Sequence, residues 1–188
     1  MSKNDGLLPA TSQGKELWQQ GLGLMDRGKW NDARSLWEEI VRLEPSHAPS
    51  LNKLGVCLAQ LGEVGPAGEA FQKALAIEPK MAQALSNMGN IELSKGNAQE
   101  AVRLYSLAIR QDPGYSVAHT NLSAAYKRLG QLDKAVAELK KARSLEAKES
   151  RMLGYPAPQT EAPRAGAGGC FLWLAIIAVM VFVLIMLR

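Results

Sequence analysis

A spacing of 34 residues runs through most of this 188-residue chain. Glycine recurs at this interval, at Gly28, Gly62, Gly96 and Gly130. Alanine keeps the same interval at Ala33, Ala67, Ala101 and Ala135, and proline keeps it at Pro45, Pro79 and Pro113. A fixed period of this length is typical of tandem helix-turn-helix units, none of which can bury its apolar face alone. The period therefore predicts a helical repeat protein.

Each recurring residue type has a physical reason for its position in the repeat. The ladder glycines are expected to end the first helix of each unit, helix A, because glycine adopts a left-handed conformation at least cost. The prolines are expected to stop the second helix, helix B. Small residues let helix B approach helix A closely, at Gly21, Gly55, Gly89 and Ser123. The aromatic residues Trp37, Phe71 and Tyr105 are expected to fill the gap between one repeat and the next.

The second unit carries a known pattern of residues. Its residues in order are Leu51, Leu54, Gly55, Leu58, Ala67, Phe71, Ala74 and Pro79. This order resembles the tetratricopeptide repeat, and four frames hold the same register, at 14–47, 48–81, 82–115 and 116–149. The resemblance implies an all-α fold, a right-handed α-solenoid whose helices A line a concave groove that holds a peptide or a partner helix.

The two ends of the repeat region depart from the pattern. Residues 1–13 lack periodicity and are interpreted as a flexible N-terminal arm, with Ser12 capping the first helix. In the fourth frame Ala147 stands where the repeat-ending proline is expected, so we expect helix B to continue past Lys148.

The C-terminal segment changes in composition twice. Residues 150–169 are rich in Gly, Ala and Pro and are interpreted as a linker. Cys170 to Leu187 contains no charged residue and would cover roughly 27 Å as a helix, which predicts a transmembrane helix in contact with the lipid bilayer. The alternative, a buried core helix, is disfavoured because four complete repeats leave no place for a helix that is apolar on every side. Cys170 is either acylated or a small apolar residue.

The flanking charges predict an orientation for this span. Lys148, Arg151 and Arg164 precede it and only Arg188 follows, which places the repeats on the cytoplasmic side. A span at the last residues suggests a tail anchor inserted after synthesis. The bacterial inner membrane and the endoplasmic reticulum both fit, and the mitochondrial outer membrane is less favoured because its anchors usually end in several basic residues.

Composition and motifs argue against several functions. The net charge of +4 comes from interspersed basic and acidic residues, so nucleic acid is not an expected partner. Two cysteines supply neither a disulfide framework nor a metal site. No grouping of residues indicates catalysis or a cofactor, and His47 and His119 are interpreted as structural. The chain is therefore not expected to be an enzyme.

The resemblance also implies where a partner would bind. The helix A face is expected to supply the groove residues Trp18, Leu22, Asn52, Lys53, Val56, Asn87, Asn90, Asn121, Lys127 and Arg128. Trp18 and Leu22 are expected to be exposed apolar anchors, and the alternative is that the N-terminal arm folds against them. Asn87 and Asn121 could pair with the backbone of an extended ligand, the alternative being that they are solvated polar residues.

Some members of this family bind the C-terminal carboxylate of heat-shock chaperones through a clamp of five Lys, Asn and Arg residues. When the clamp is placed on the last three repeats, only Asn87 has the required residue type. The sequence therefore predicts a membrane-anchored adaptor of another specificity, which recruits a protein or peptide partner. The alternatives are a scaffold that forms homo-oligomers at the membrane, and a tail-anchored organelle receptor.

Overall fold

The computed structural model describes residues 8–154 and folds them into eight α-helices. No strand occurs within these residues, so the all-α fold is confirmed there. The helices are α1 (Ser12–Asp26), α2 (Trp30–Leu43), α3 (Ala48–Gln60), α4 (Val64–Ile77), α5 (Ala82–Ser94), α6 (Ala98–Gln111), α7 (Ser116–Arg128) and α8 (Leu132–Met152). Odd-numbered helices are helices A of the repeats and even-numbered helices are helices B. The chain divides into the compact units Met1–Glu149 and Ser150–Arg188, and the repeats belong to the first.

The ladder glycines sit at the turns between helices A and B. Their φ angles are +69° at Gly28, +82° at Gly62, +89° at Gly96 and +72° at Gly130. In the second repeat Gly62 donates its N–H to the carbonyl of Ala59 at 3.1 Å, and Glu63 donates to Leu58 at 2.9 Å. These bonds satisfy carbonyls that the end of helix A leaves without partners. The role predicted for the ladder glycines is confirmed.

A second set of glycines lets an aromatic ring lie directly on helix A. A Cβ added to Gly55 would stand 2.5 Å from Cε1 of Phe71, and one added to Gly89 would stand 2.5 Å from Cε1 of Tyr105. Gly21 and Trp37 repeat the arrangement at 2.7 Å. The rings therefore pack within their own repeat, which the sequence did not predict. They also reach the next repeat as expected, where Phe71 shares a buried cluster with residues of α5.

The fourth repeat replaces this glycine–aromatic pair with a hydrogen bond. The hydroxyl of Ser123 donates to the carbonyl of Ala135 at 2.8 Å, which joins α7 to α8. Helix α8 then runs through Ala147 to Met152, as the missing proline predicted.

The N-terminal segment from Leu8 is held against the first repeat. Carboxylate oxygens of Glu44 accept hydrogen bonds from the N–H of Ala10 at 2.8 Å, the N–H of Thr11 at 2.9 Å and the hydroxyl of Thr11 at 2.7 Å. Pro9 is among the fully buried side chains. The prediction of a flexible arm is therefore wrong for residues 8–13, because a residue 33 positions away supplies the partners. The cap of α1 is Thr11 and not Ser12, since the Thr11 side chain accepts from the N–H of Gly14.

Among the residues described, no helix combines the length and apolar character needed to cross a bilayer. The predicted span Cys170–Leu187 and most of the predicted linker lie outside the described residues, as do residues 1–7 of the predicted arm.

Candidate binding groove

Helix B of each of the first three repeats packs on helix A of the next repeat, and helices A of neighbouring repeats also touch. Direct contacts join α3 to α5 and α5 to α7, whereas α2, α4 and α6 make no contacts of that extent with one another. A row of helix pairs that is tighter on one side curves toward that side. We call the face formed by α3, α5 and α7 the inner face and the face formed by the even-numbered helices the outer face.

The first repeat does not present the exposed apolar anchor that was expected. Trp18 is only 3% exposed. Its ring packs edge-on against Trp37, with 5.0 Å between centroids, and against His47 at 5.6 Å. Leu22 lies partly buried in the same cluster. The expectation of an exposed Trp18 is wrong because Trp37 and His47 pack on its ring. Leu8 of the N-terminal segment packs on the same cluster, which agrees with the alternative considered.

Two asparagines of the inner face bond to the preceding repeat. Asn87 donates from Nδ2 to Oδ1 of Asn52 at 2.9 Å, and Asn121 donates from Nδ2 to the hydroxyl of Ser86 at 3.2 Å. Their partners are buried, with Asn52 7% and Ser86 1% exposed. A buried amide or hydroxyl needs such a partner, so these bonds link α3, α5 and α7. The asparagines are therefore part of the framework, and only their remaining donors and acceptors can serve a ligand.

Three of the predicted groove residues come together around one cavity. This inner cavity has a volume of about 230 Å³ between the second and third repeats. Its lining residues are Val56, Ala59, Gln60, Val64, Phe71, Asn87, Asn90, Ile91 and Ser94. Val56, Phe71 and Ile91 make an apolar base. Polar groups of Gln60, Asn87 and Asn90 stand around it, so the cavity offers both apolar contact and hydrogen bonding.

Asn90 is oriented by a buried phenol. The hydroxyl of Tyr105 donates to Oδ1 of Asn90 at 2.7 Å, and burial raises the pKa of Tyr105 well above its ordinary value. The phenol thus stays protonated and keeps donating. Because Oδ1 is used in this bond, the Nδ2 group of Asn90 is the part of the amide available to a ligand carbonyl.

The remaining predicted residues lie away from the inner cavity. Lys127 and Arg128 are exposed in the last turn of α7, where a helix C-terminus favours positive charge. Lys53 is half-buried in α3 and does not line the inner cavity. Of the predicted groove residues, the basic ones of the last repeat are therefore exposed, while Trp18 of the first repeat is buried.

Sequence reasoning missed several residues that line the inner cavity, among them Ala59 and Ser94. Ala59 follows Val56 by three positions, a spacing that places side chains on one helix face. That spacing could have identified it. The position of Ser94 depends on the packing of α5 against α3.

The cysteine and histidine side chains of the repeats are held within the packing of the helices. Burial raises the pKa of the Cys57 thiol to about 11, so it is protonated at neutral pH. His119 bonds through Nδ1 to Glu138 at 2.6 Å, joining α7 to α8. His47 bonds through Nδ1 to the Ser50 hydroxyl at 2.7 Å, and burial lowers its pKa. Within residues 8–154 no group of His, Cys, Asp or Glu is placed to hold a metal ion.

Comparisons with known proteins agree with this architecture. Two family models, each described as tetratricopeptide repeat, match residues 19–82 and 92–154. No curated protein sequence matches the chain.

Solved structures resemble the chain over most of its length. A crystal structure of MamA has 30% sequence identity and a TM-score of 0.60, with 72% of this chain and 79% of that chain covered. The thermophilic TPR protein TTC0263 from Thermus thermophilus has 25% identity and a TM-score of 0.63, with 74% and 82% covered. MamA 41-end from Desulfovibrio magneticus RS-1, at 20% identity, TM-score 0.59 and 78% coverage of both chains, shares the fold. The chain belongs to the tetratricopeptide repeat family, and its fold is that of a protein–protein interaction adaptor or scaffold.

Proposed function

We propose that this protein is a membrane-anchored adaptor whose inner face recruits a segment of a partner protein. The observation that carries the proposal is the inner cavity, which has an apolar base and amide groups at its edge. Its volume of about 230 Å³ is below the roughly 300–1,000 Å³ of a typical small-molecule pocket, and it suits a single large side chain. The partner segment thus places one apolar side chain in the cavity.

The amide groups favour a ligand in extended conformation. Nδ2 of Asn90 and the side chain of Gln60 can bond to backbone carbonyls and N–H groups that an extended segment leaves free. Lys127 and Arg128, exposed on α7, favour an acidic residue elsewhere in the partner. The proposed ligand is therefore an extended segment with one large apolar residue and an acidic residue apart from it.

The membrane part of the proposal rests on the sequence. Cys170 to Leu187 is uncharged, and Lys148, Arg151 and Arg164 precede it. Such a segment suits a bilayer span, with the repeats on the cytoplasmic side. Anchoring would hold the recruited partner at the membrane surface and raise its local concentration there.

The groove is tested by photocrosslinking in native membranes. A photoreactive residue replaces Gln60 in the full-length chain, and captured partners are identified. Ala59→Phe, at an exposed position on the rim of the inner cavity, should reduce capture at least about tenfold by occupying the cavity. The matched control Ala137→Phe changes an exposed alanine of α8 and should leave capture intact. Equal capture with Ala59→Phe would overturn the groove assignment.

The anchor is tested separately. Full-length protein should remain in the membrane pellet after alkaline carbonate extraction, and a chain that ends at Gly169 should be released. Protease added to sealed inverted vesicles should digest the repeats if they face the cytoplasm. Release of the full-length chain by carbonate would refute the membrane anchor and would leave the groove proposal unaffected.

One observation favours the alternative of a self-associating scaffold. Leu132 and Val136 are 60% and 51% exposed on α8, at the end of the solenoid. Exposed apolar side chains one helical turn apart are typical of an interaction surface.

A further inference from the structure

The outer face carries a cavity that the proposed groove does not use. This outer cavity has a volume of about 720 Å³ and opens between α2, α3 and α4. Its lining residues are Arg34, Glu38, Val41, Pro45, Leu51, Leu54, Leu58, Glu63, Pro66, Glu69, Ala70, Lys73, Ala76 and Ile77. Three leucines of α3 lie at its floor. The outer cavity is therefore apolar at its base and large enough for more than one side chain.

One small residue, Ala70, contributes to this space. Ala70 stands where the first and third repeats have Leu36 and Leu104, each 34 residues away. Leu104 is only 7% exposed and packs in a buried cluster with Leu85 of the preceding helix. Ala70 lacks the atoms that would make the same contact with Leu51. The second repeat thus leaves open what the third repeat fills.

The rim of the outer cavity is charged, with more acidic than basic residues. Glu38, Glu63 and Glu69 face two basic residues, Arg34 and Lys73. Arg34 is already engaged, since its Nη1 lies 3.0 Å from Glu63 and its Nε lies 3.4 Å from Glu38. The acidic excess suits a partner with an apolar tip and a basic residue beside it.

Helix α8 of the same chain has this chemistry. Leu132, Val136 and Lys140 follow at intervals of four residues and so form one stripe, apolar at its start and basic at its end. The corresponding residues of the third repeat, Ala98 and Val102, are shielded: Ala98 is buried and Val102 packs against a cluster that includes α7. Within the described residues no fifth repeat covers Leu132 and Val136.

We propose that the α8 stripe of one copy docks into the outer cavity of a second copy. Leu132 and Val136 fill the space beside Ala70, and Lys140 lies among the rim glutamates. The contact joins two different surfaces, so each copy can act once as donor and once as acceptor, and copies assemble into chains or closed rings. This inference rests on the scaffold alternative and deepens it, and it does not involve the inner cavity, whose lining residues include none from the outer cavity or from α8.

A contact built on two side chains is weak on its own. Stable interfaces bury about 800 Å² per partner, so association is expected to be concentration-dependent and to strengthen when copies share one membrane. The ratio of oligomers to monomers would then rise with the density of the protein in the membrane.

The test uses full-length chains labelled with donor or acceptor fluorophores at the N-terminal amine, in phosphatidylcholine nanodiscs that hold at most one copy each. Wild-type chains should show energy transfer that rises with concentration. Ala70→Leu copies the third repeat, so it should keep the fold and weaken association about tenfold or more. Leu132→Ser with Val136→Ser should do the same, whereas Val117→Ser, another exposed apolar residue, should have no effect.

Mixing the two defective chains gives the decisive result. Ala70→Leu retains the α8 stripe, and the double serine variant retains the outer cavity, so the mixture should form one-to-one pairs and nothing larger. Glu69→Lys and Lys140→Glu should each weaken association and together restore it. No association of the wild type, or no recovery in either combination, would overturn the proposal. Loss of association on Ala59→Phe would point instead to the inner cavity.

Discussion

A Cβ atom added to Gly55 would stand 2.5 Å from Cε1 of Phe71. Carbon atoms do not approach this closely, and Phe71 is only 2% exposed, so its ring has little room to withdraw. The absence of a side chain at Gly55 is thus a condition for packing α4 on α3.

Gly55→Ala should destabilise the fold by about 2 kcal/mol, because overpacking displaces the ring of Phe71. Gly65→Ala is the matched control, since nothing lies within 4 Å of a Cβ at that helical position. It should be neutral or stabilise by up to about 1 kcal/mol. Urea denaturation followed by circular dichroism measures both, and equal stability of the two variants would contradict the packing argument.

Asn87→Ala should lower the free energy of unfolding by about 1–2 kcal/mol, because Oδ1 of Asn52 loses its donor while buried. The control Gln83→Ala changes an exposed residue of the same helix and should stay within about 0.5 kcal/mol. If Asn87→Ala leaves the unfolding curve unchanged, the bond between Asn52 and Asn87 contributes nothing to the framework.

Trp18→Ala should destabilise the first repeat by about 3–5 kcal/mol, because it removes a buried ring that packs on Trp37 and His47. Any loss of partner binding in this variant would therefore reflect unfolding. Hydrogen exchange of α1 and α2 amides should accelerate far more than exchange in α5 and α6. Native protection throughout α1 would show that Trp18 is dispensable for packing.

Glu44→Gln should weaken the N-terminal segment by about 1 kcal/mol at neutral pH, since a charged acceptor of three hydrogen bonds becomes neutral and the site is partly exposed. Burial pushes the pKa of Glu44 up, but the bonds from Thr11 and Ala10 and the nearby His47 outweigh it and leave the pKa lowered. The stabilisation is therefore fully present above the ordinary pKa of 4.5 and is lost as pH falls through the lowered value.

The measurement is the difference in unfolding free energy between wild type and Glu44→Gln as a function of pH. It should hold or rise from pH 7 to about 5, as His47 takes up a proton beside Glu44, and shrink below pH 4.5. Glu39, Glu92 and Glu100 also have lowered pKa values, through bonds to basic or amide side chains, and the difference between the two proteins cancels their effect. A difference that grows as pH falls below 4.5 would have the wrong sign.

Much of the fold followed from local residue chemistry. A glycine at a turn, a small residue where helix B approaches helix A and a proline after a helix each act within one repeat, so their spacing along the chain is enough to place them. The extension of α8 past Lys148 followed from the missing proline for the same reason. The membrane span of Cys170–Leu187 stays a prediction from composition.

The binding surface was predicted less well, because exposure depends on residues distant in sequence. Trp18 belongs to helix A, yet Trp37 and His47 pack on its ring, and Leu8 packs on the same cluster. Asn52 was expected to face a ligand and instead accepts a bond from Asn87, one repeat away. A residue's place on a helix face does not show which other chain segment lies over it.

The sequence by itself determined the number of repeats, their helices and the residues that allow those helices to pack, since each depends on a backbone angle or a contact within about 34 residues. Only the tertiary structure decided which surfaces stay open. The outer cavity needs α2, α3 and α4 to converge around Ala70, and the inner cavity needs α5 to lie beside α3. Empty volume is a property of several helices together, and no single residue specifies it.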